Sequence, residues 1–214
     1  MSVLGQKRTP VKLPARLGGM DSAAPSDRFR CSKRYQLQRV QMIAEDLDLK
    51  PYAEWSRVRV ADPRAATPEQ FLDGFRKICA DEGPIIEDRL YALYARAAEL
   101  GRVYGPVRQK FERALQTALE AKHLIASRET FGAHDERVIT LPDQPPVSVR
   151  ERGPRSLHEI PGTEIAEVML AIRVEHDLIG RDELFRAVLA AYKLKRLTQA
   201  SESRLNAVLT TWLA

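Results

Sequence analysis

GPVRQKFERALQTALEAKHLI, from Gly105 to Ile125, is the stretch on which the reading of this fold turns. At 100° per residue, Val107, Phe111, Ala114, Leu115, Ala118 and Leu119 share one side of a helix, which is the side a core would take. Gln109, Arg113, Gln116, Thr117 and Glu120 point away from it. Arg108 and Lys110 flank the apolar side on opposite edges. Gly101 and Gly105 bracket a turn before the helix, so Pro106–Lys122 is the expected span. Whether its polar face meets nucleic acid or only water is the question the sequence poses.

Working outward, HLIASRE and ERVITL read as two short strands around Phe131-Gly132-Ala133-His134. Upstream, Pro68–Ala80 is an expected helix. Thr67 is a natural N-cap, Pro68 suits the first helical position, and Glu69 or Gln70 favours the first turn. Asp81-Glu82-Gly83-Pro84 ends that helix, Ile85-Ile86 is a short extended link, and Glu87–Leu100 is the next helix. Three helices, a short strand after the first and a closing hairpin make a winged-helix pattern. This is a relative of the helix-turn-helix, in which the last helix is the reader.

Residues 68–119 also align without a gap on residues 162–213, at a constant offset of 94. Ile78 meets Ile172, Asp88 meets Asp182, Leu90 meets Leu184, Ala97 meets Ala191 and Leu115 meets Leu209. Apolar pairs fill the spaces, among them Phe71 with Ile165, Phe75 with Met169, Tyr91 with Phe185 and Phe111 with Leu205. Two copies of one three-helix unit explain this register best. The second copy is expected to have helices at Thr163–Asp177, Arg181–Leu194 and Gln199–Leu213. It lacks a wing of its own, unless Val147–Arg150 serves as one.

The expected architecture is therefore mainly α, with tandem winged-helix-like units of which the first carries a small β-hairpin wing. A disordered basic tail is expected at 1–34. Residues 35–66 are read as a helix, YQLQRVQMIAEDLDL, stopped by Lys50-Pro51, and a short strand at Trp55–Val60. The first unit spans 67–141, a linker 142–161 and the second unit 162–214.

Of 214 residues, 44% are apolar and 29% charged, the composition of an ordinary globular chain. Two cysteines make no disulfide framework, which favours a reducing cytoplasm. No apolar run approaches the roughly 20 residues that span a bilayer, so no membrane role is expected. The net charge is +5, but it is unevenly spread. Residues 1–60 hold 12 Lys/Arg against 6 Asp/Glu, and residues 61–214 hold 22 against 23. Any anion-binding surface on the nearly neutral body must be a local patch.

The segments ICADEGPIIEDRLYALYARAAELGRVYGPVRQKFERAL and IPGTEIAEVMLAIRVEHDLIGRDELFRAVLAAYKLKR, with the ending helix SRLNAVLTTWLA, together resemble the C-terminal region of large bacterial helicase-like proteins. Those chains join a superfamily 1 motor and a restriction-endonuclease-like domain to a terminal helical domain of unknown function. The resemblance covers roughly residues 51–214 and implies a DNA-linked context such as restriction, repair or defence. The phosphate-cradling Gly-x-x-x-x-Gly-Lys-Ser/Thr motif of a motor is absent, so no catalytic residue carries over.

No catalytic centre, cofactor or metal is expected. His123, His134, His158 and His176 lack metal-ligand spacing. Cys79 lies on an apolar helix face with no activating base. Glu120-Ala121-Lys122 matches the end of a nuclease motif, but it closes a helix rather than a strand. The candidate DNA-binding residues are Arg102, Arg108, Gln109, Arg113, Gln116, Arg128 and Arg137, since Arg and Gln pair with phosphates and base edges. In the second copy the matching face is Ser203, Asn206 and Thr210, with only Arg204 basic, so it is not read as a reader. Lys193, Lys195 and Arg196 form that copy's basic cluster. The leading reading is a non-catalytic DNA-binding or accessory module, with the second copy docking or dimerising. The alternative is a protein-interaction adaptor for a helicase-like or nuclease-like partner.

Overall fold

A computed structural model describes residues 25–56, 58–131 and 134–213, with side chains described from residue 35 onward, His134 excepted. The chain divides into two compact units, Met1–Gln36 and Leu37–Ala214. Helix α1 (Pro25–Glu45) runs through the boundary. It begins inside the stretch expected to be a disordered tail, and it stops at Glu45 rather than continuing to residue 49. The remainder of that expected tail lies outside the described residues.

The second unit is mainly helical with one small sheet. Its elements are α2 (Pro68–Glu82), β1 (Ile85–Ile86), α3 (Glu87–Ala97), α4 (Gly105–Glu120), β2 (Ile125–Phe131), β3 (His134–Thr140), α5 (Gly162–Glu175), α6 (Arg181–Ala191) and α7 (Gln199–Trp212). The sheet is antiparallel in the order β1-β3-β2, with Ile85 opposite Ile139 and Ser127 opposite Val138. Among the described residues of Trp55–Val60 there is no strand. The indole of Trp55 is buried in the core, and its backbone N–H donates to Glu82 Oε1 at 3.1 Å. A side-chain carboxylate thus takes the place of a ladder partner.

Local chemistry fixes the helix ends. Thr67 Oγ1 accepts from Gln70 N at 3.4 Å, and Gln70 Oε1 accepts from Thr67 N at 2.9 Å, with Pro68 starting α2. The closures of α3 and α6 match at the 94-residue offset. Leu100 N bonds Ala95 O at 2.9 Å and Leu194 N bonds Leu189 O at 2.7 Å, with Glu99 and Lys193 left-handed at φ 60° and 57°. This is the wrap-around stop normally given to glycine. Both α3 and α6 are 11 residues long and begin 94 residues apart.

Two hydrophobic cores hold the unit together. One packs α2, α3 and α4 around Phe71, Phe75, Tyr91, Tyr94 and Phe111, with Tyr91 stacked on Phe111 at 5.0 Å between ring centroids. Gly74 lets α2 approach that cluster, since a Cβ there would meet Tyr94 Cε2 at 2.4 Å. The other core packs α5, α6 and α7 around Met169, Phe185, Tyr192 and Leu205, and it recruits Val40 and Ile43 from α1 and Phe131 from β2. Phe111, Leu115, Leu205 and Val208 are fully buried. Leu209, the partner of Leu115 in the alignment, is only half-buried.

Candidate nucleic-acid interface

The structure divides the seven sequence-derived candidates into two groups. Arg102, Gln109, Arg113 and Gln116 are exposed at the start and on the outward face of α4. Gln116 Nε2 donates to Glu120 Oε1 at 2.9 Å, and Arg113 accepts through its backbone carbonyl from Thr117 Oγ1 at 3.0 Å. Lys110, at the edge of that face, donates to the Arg64 carbonyl. α4 packs chiefly on α2, and Gln109, Arg113 and Gln116 stay exposed.

Arg108, Arg128 and Arg137 converge elsewhere, on a cleft of about 510 Å³ between α3, α4, the hairpin and the 3₁₀ turn at Leu157–Glu159. Four arginines line it, Arg89 being the fourth, against six carboxylates: Glu87, Asp88, Glu112, Asp135, Glu136 and Glu159. Arg108 bridges Asp88 at 2.8 Å and Glu112 at 3.0 Å, Arg128 bridges Asp135 at 3.2 Å, and Arg137 bridges Glu87 at 2.5 Å. Burial works against the Arg108 charge, but the bonds to Asp88 and Glu112 outweigh it and raise its pKa. The bond to Glu87 raises that of Arg137. These guanidiniums are charged but already paired, and a phosphate approaching them would meet the surrounding carboxylates.

The stretch read as a linker holds polar residues that sequence reasoning missed. Arg150 and Arg155, both buried, converge on the buried carboxylate of Glu164 in α5. Arg155 makes two bonds of 2.9 Å to it. Arg150 also donates to the carbonyls of Glu82, Gly83 and Pro84 at the end of α2, at 2.9 to 3.0 Å. Nearby, Arg89 bonds Glu82 at 2.8 Å and Glu159 at 3.0 Å. The only trace of this in sequence is the arginine density of VSVRERGPR, where periodicity finds no helix.

The hairpin is a second seam between the trios. Glu129 on β2 accepts from the backbone N–H of Thr163 at 3.1 Å and from its hydroxyl at 2.5 Å, capping the start of α5 across the chain. Burial pushes the Glu129 carboxyl above its usual range, although those bonds favour the charge. Gly162 admits the Phe131 ring, which a Cβ would meet at 1.8 Å. Arg204 of α7 bonds both oxygens of Glu136, at 2.5 and 3.0 Å, and the Ile160 carbonyl at 2.6 Å. The sequence places Arg204 on the outward face of the last helix, but it is 7% exposed and holds the hairpin.

Cys79 is fully buried and its thiol is pushed up to about 12, away from reactivity. Among the described residues no group of three or more His, Cys, Asp or Glu is placed to hold a metal, and no helix is long and apolar enough to cross a membrane. Compared with protein-family models, with curated proteins and with solved structures, the chain matches none.

Proposed function

We propose that the chain is a non-catalytic DNA-binding accessory module of a helicase- or restriction-type DNA-processing system, touching duplex DNA through the outward face of α4. In this reading the first trio and its hairpin form a winged-helix-like unit, and the second trio is a docking unit that braces the hairpin. The order helix, strand, helix, helix, strand, strand, with β3 central in the sheet, supports the winged-helix assignment. The observation that carries the functional reading is the contrast in cover. The second trio packs on the hairpin and leaves the polar face of α4 open. That face and its ends present Arg102, Lys110, Arg113 and Lys122 with Gln109 and Gln116, against Glu120. The paired arginines of the cleft belong, on this account, to the scaffold. The basic excess of residues 1–60 would add sequence-independent attraction.

Titration of full-length protein with duplex DNA across a salt series tests this. Each phosphate contact contributes about −0.9 to the slope of log affinity against log salt. Deleting residues 1–34 should flatten the slope and weaken binding to all sequences alike. Absence of salt-sensitive binding to duplex or single-stranded DNA at micromolar protein would overturn the reading. The alternative, a protein-interaction adaptor, would then lead. It is favoured by the self-neutralised cleft, where Arg108, Arg128 and Arg137 each have a carboxylate partner.

A further inference from the structure

We infer that the outer face of α5 and the loop after it form a docking surface for a basic amphipathic helix of a partner protein. Leu170, Val174 and Leu178 are spaced four residues apart and are 43%, 75% and 90% exposed. Their own trio does not need them, since Ile165, Val168, Met169 and Ile172 on the opposite side of α5 are fully buried and complete that core.

The first trio is an internal control. At the same register α2 carries Arg76 and Ala80, both exposed, and the chain then reaches Pro84, which is buried; one turn of that face is closed by the Asp73–Lys77 ion pair at 2.7 Å. A trio of this design therefore folds without large exposed apolar side chains in this place. Three large exposed apolar side chains where the first trio exposes none mark a binding surface rather than a core.

The rim decides what covers it. Glu167, Glu175 and Asp177 are exposed around the stripe. Arg173, exposed among them, donates to the Leu213 carbonyl at 3.1 Å and keeps its charge, which leaves three carboxylates against one guanidinium. An exposed apolar patch, Leu170 and Val174 one turn apart on α5 with Leu178 in the loop after it, with a mainly acidic border fits a helix that presents leucine-like anchors flanked by lysine or arginine. This inference does not depend on whether α4 touches DNA.

The test uses the full chain and two labelled designed helical peptides of about 18 residues. Both carry leucine along one face; one carries lysine on the other face and its counterpart carries glutamate. Fluorescence anisotropy should show saturable binding of the lysine peptide and roughly tenfold or weaker binding of the glutamate peptide. Val174→Lys should weaken the lysine peptide by a similar factor, while Arg76→Ala, at the register of Leu170 on α2, should leave it unchanged. Circular dichroism shows whether Val174→Lys folds, and Leu178→Lys in the loop provides a second variant if it does not. No binding, equal affinity for the two peptides, or unchanged affinity in the folded lysine variant would each overturn the inference.

Discussion

α4 and α7 begin 94 residues apart, each the third helix of its trio, yet they turn their polar faces to different surroundings. α4 packs on α2 and leaves Gln109, Arg113 and Gln116 in solvent. α7 packs on α5, on β2 and on the 3₁₀ turn, and its one arginine is spent on Glu136 and the Ile160 carbonyl. Their inner faces are buried alike, with Phe111 and Leu205 both fully buried. A helix's inner face is thus set by its own trio, whereas its outer face is free to be allotted to a neighbour in the chain or to an outside partner.

If that allotment is right, the largest loss of stability should come from the polar seam that fixes the trios to each other. Glu164→Ala leaves Arg150 and Arg155 buried without their carboxylate. Breaking a buried ion pair from one side typically costs about 3–5 kcal/mol, so chemical denaturation should show a marginal or unfolded protein. A loss below about 1 kcal/mol would mean the network is hydrated rather than buried.

The equivalent leucines sharpen the comparison within the cores. Leu115 is fully buried and Leu209 only half-buried. Leu115→Ala should cost about 2–5 kcal/mol, and Leu209→Ala clearly less, because a partly exposed side chain leaves a smaller cavity. Equal losses would show that α7 is turned further inward than described.

A smaller effect lies at the Glu129 cap of α5. Its carboxyl is raised above the ordinary value of 4.5, with burial as the largest cause. The folded state therefore holds this proton more tightly than the unfolded state. The stability that this group contributes is complete below 4.5 and is lost as pH rises through the raised value. Relative to Glu129→Gln, the natural protein should gain melting temperature as pH falls from 7 toward that range. Parallel curves for the two proteins would place Glu129 in contact with water.

How much of this the sequence disclosed follows from the range of the forces involved. The starts of α2, α3, α6 and α7 were legible because caps, prolines and apolar spacing act within a few residues, as with Thr67 and Pro68. The hairpin around residues 131–134 was legible for the same reason. The fate of Arg204 was not, because a helical wheel says which face leaves its own trio, not what waits there. Glu136 lies 68 residues away in the chain. The same applies to Arg150, which meets carbonyls 66 to 68 residues upstream, and to Arg108, at the edge of the apolar side, whose pairing with Asp88 crosses to another helix. Trp55–Val60 alternates like a strand, but in the structure the Trp55 N–H is satisfied by Glu82.

The central claim is that one outer face is open to DNA and the other is consumed within the fold, and two variants tested side by side address it directly. Arg113→Ala and Arg204→Ala are each measured for thermal unfolding and for duplex binding across a salt series. The account expects Arg113→Ala to melt within about 0.5 kcal/mol of the natural protein. Its binding should be weaker, and its salt slope shallower by about 0.9. It expects Arg204→Ala to melt well below the natural protein, because Glu136 and the Ile160 carbonyl lose their shared donor, and to keep the natural salt slope where it is still folded. Unchanged salt-dependent binding in Arg113→Ala, or full stability with weakened DNA binding in Arg204→Ala, would contradict it.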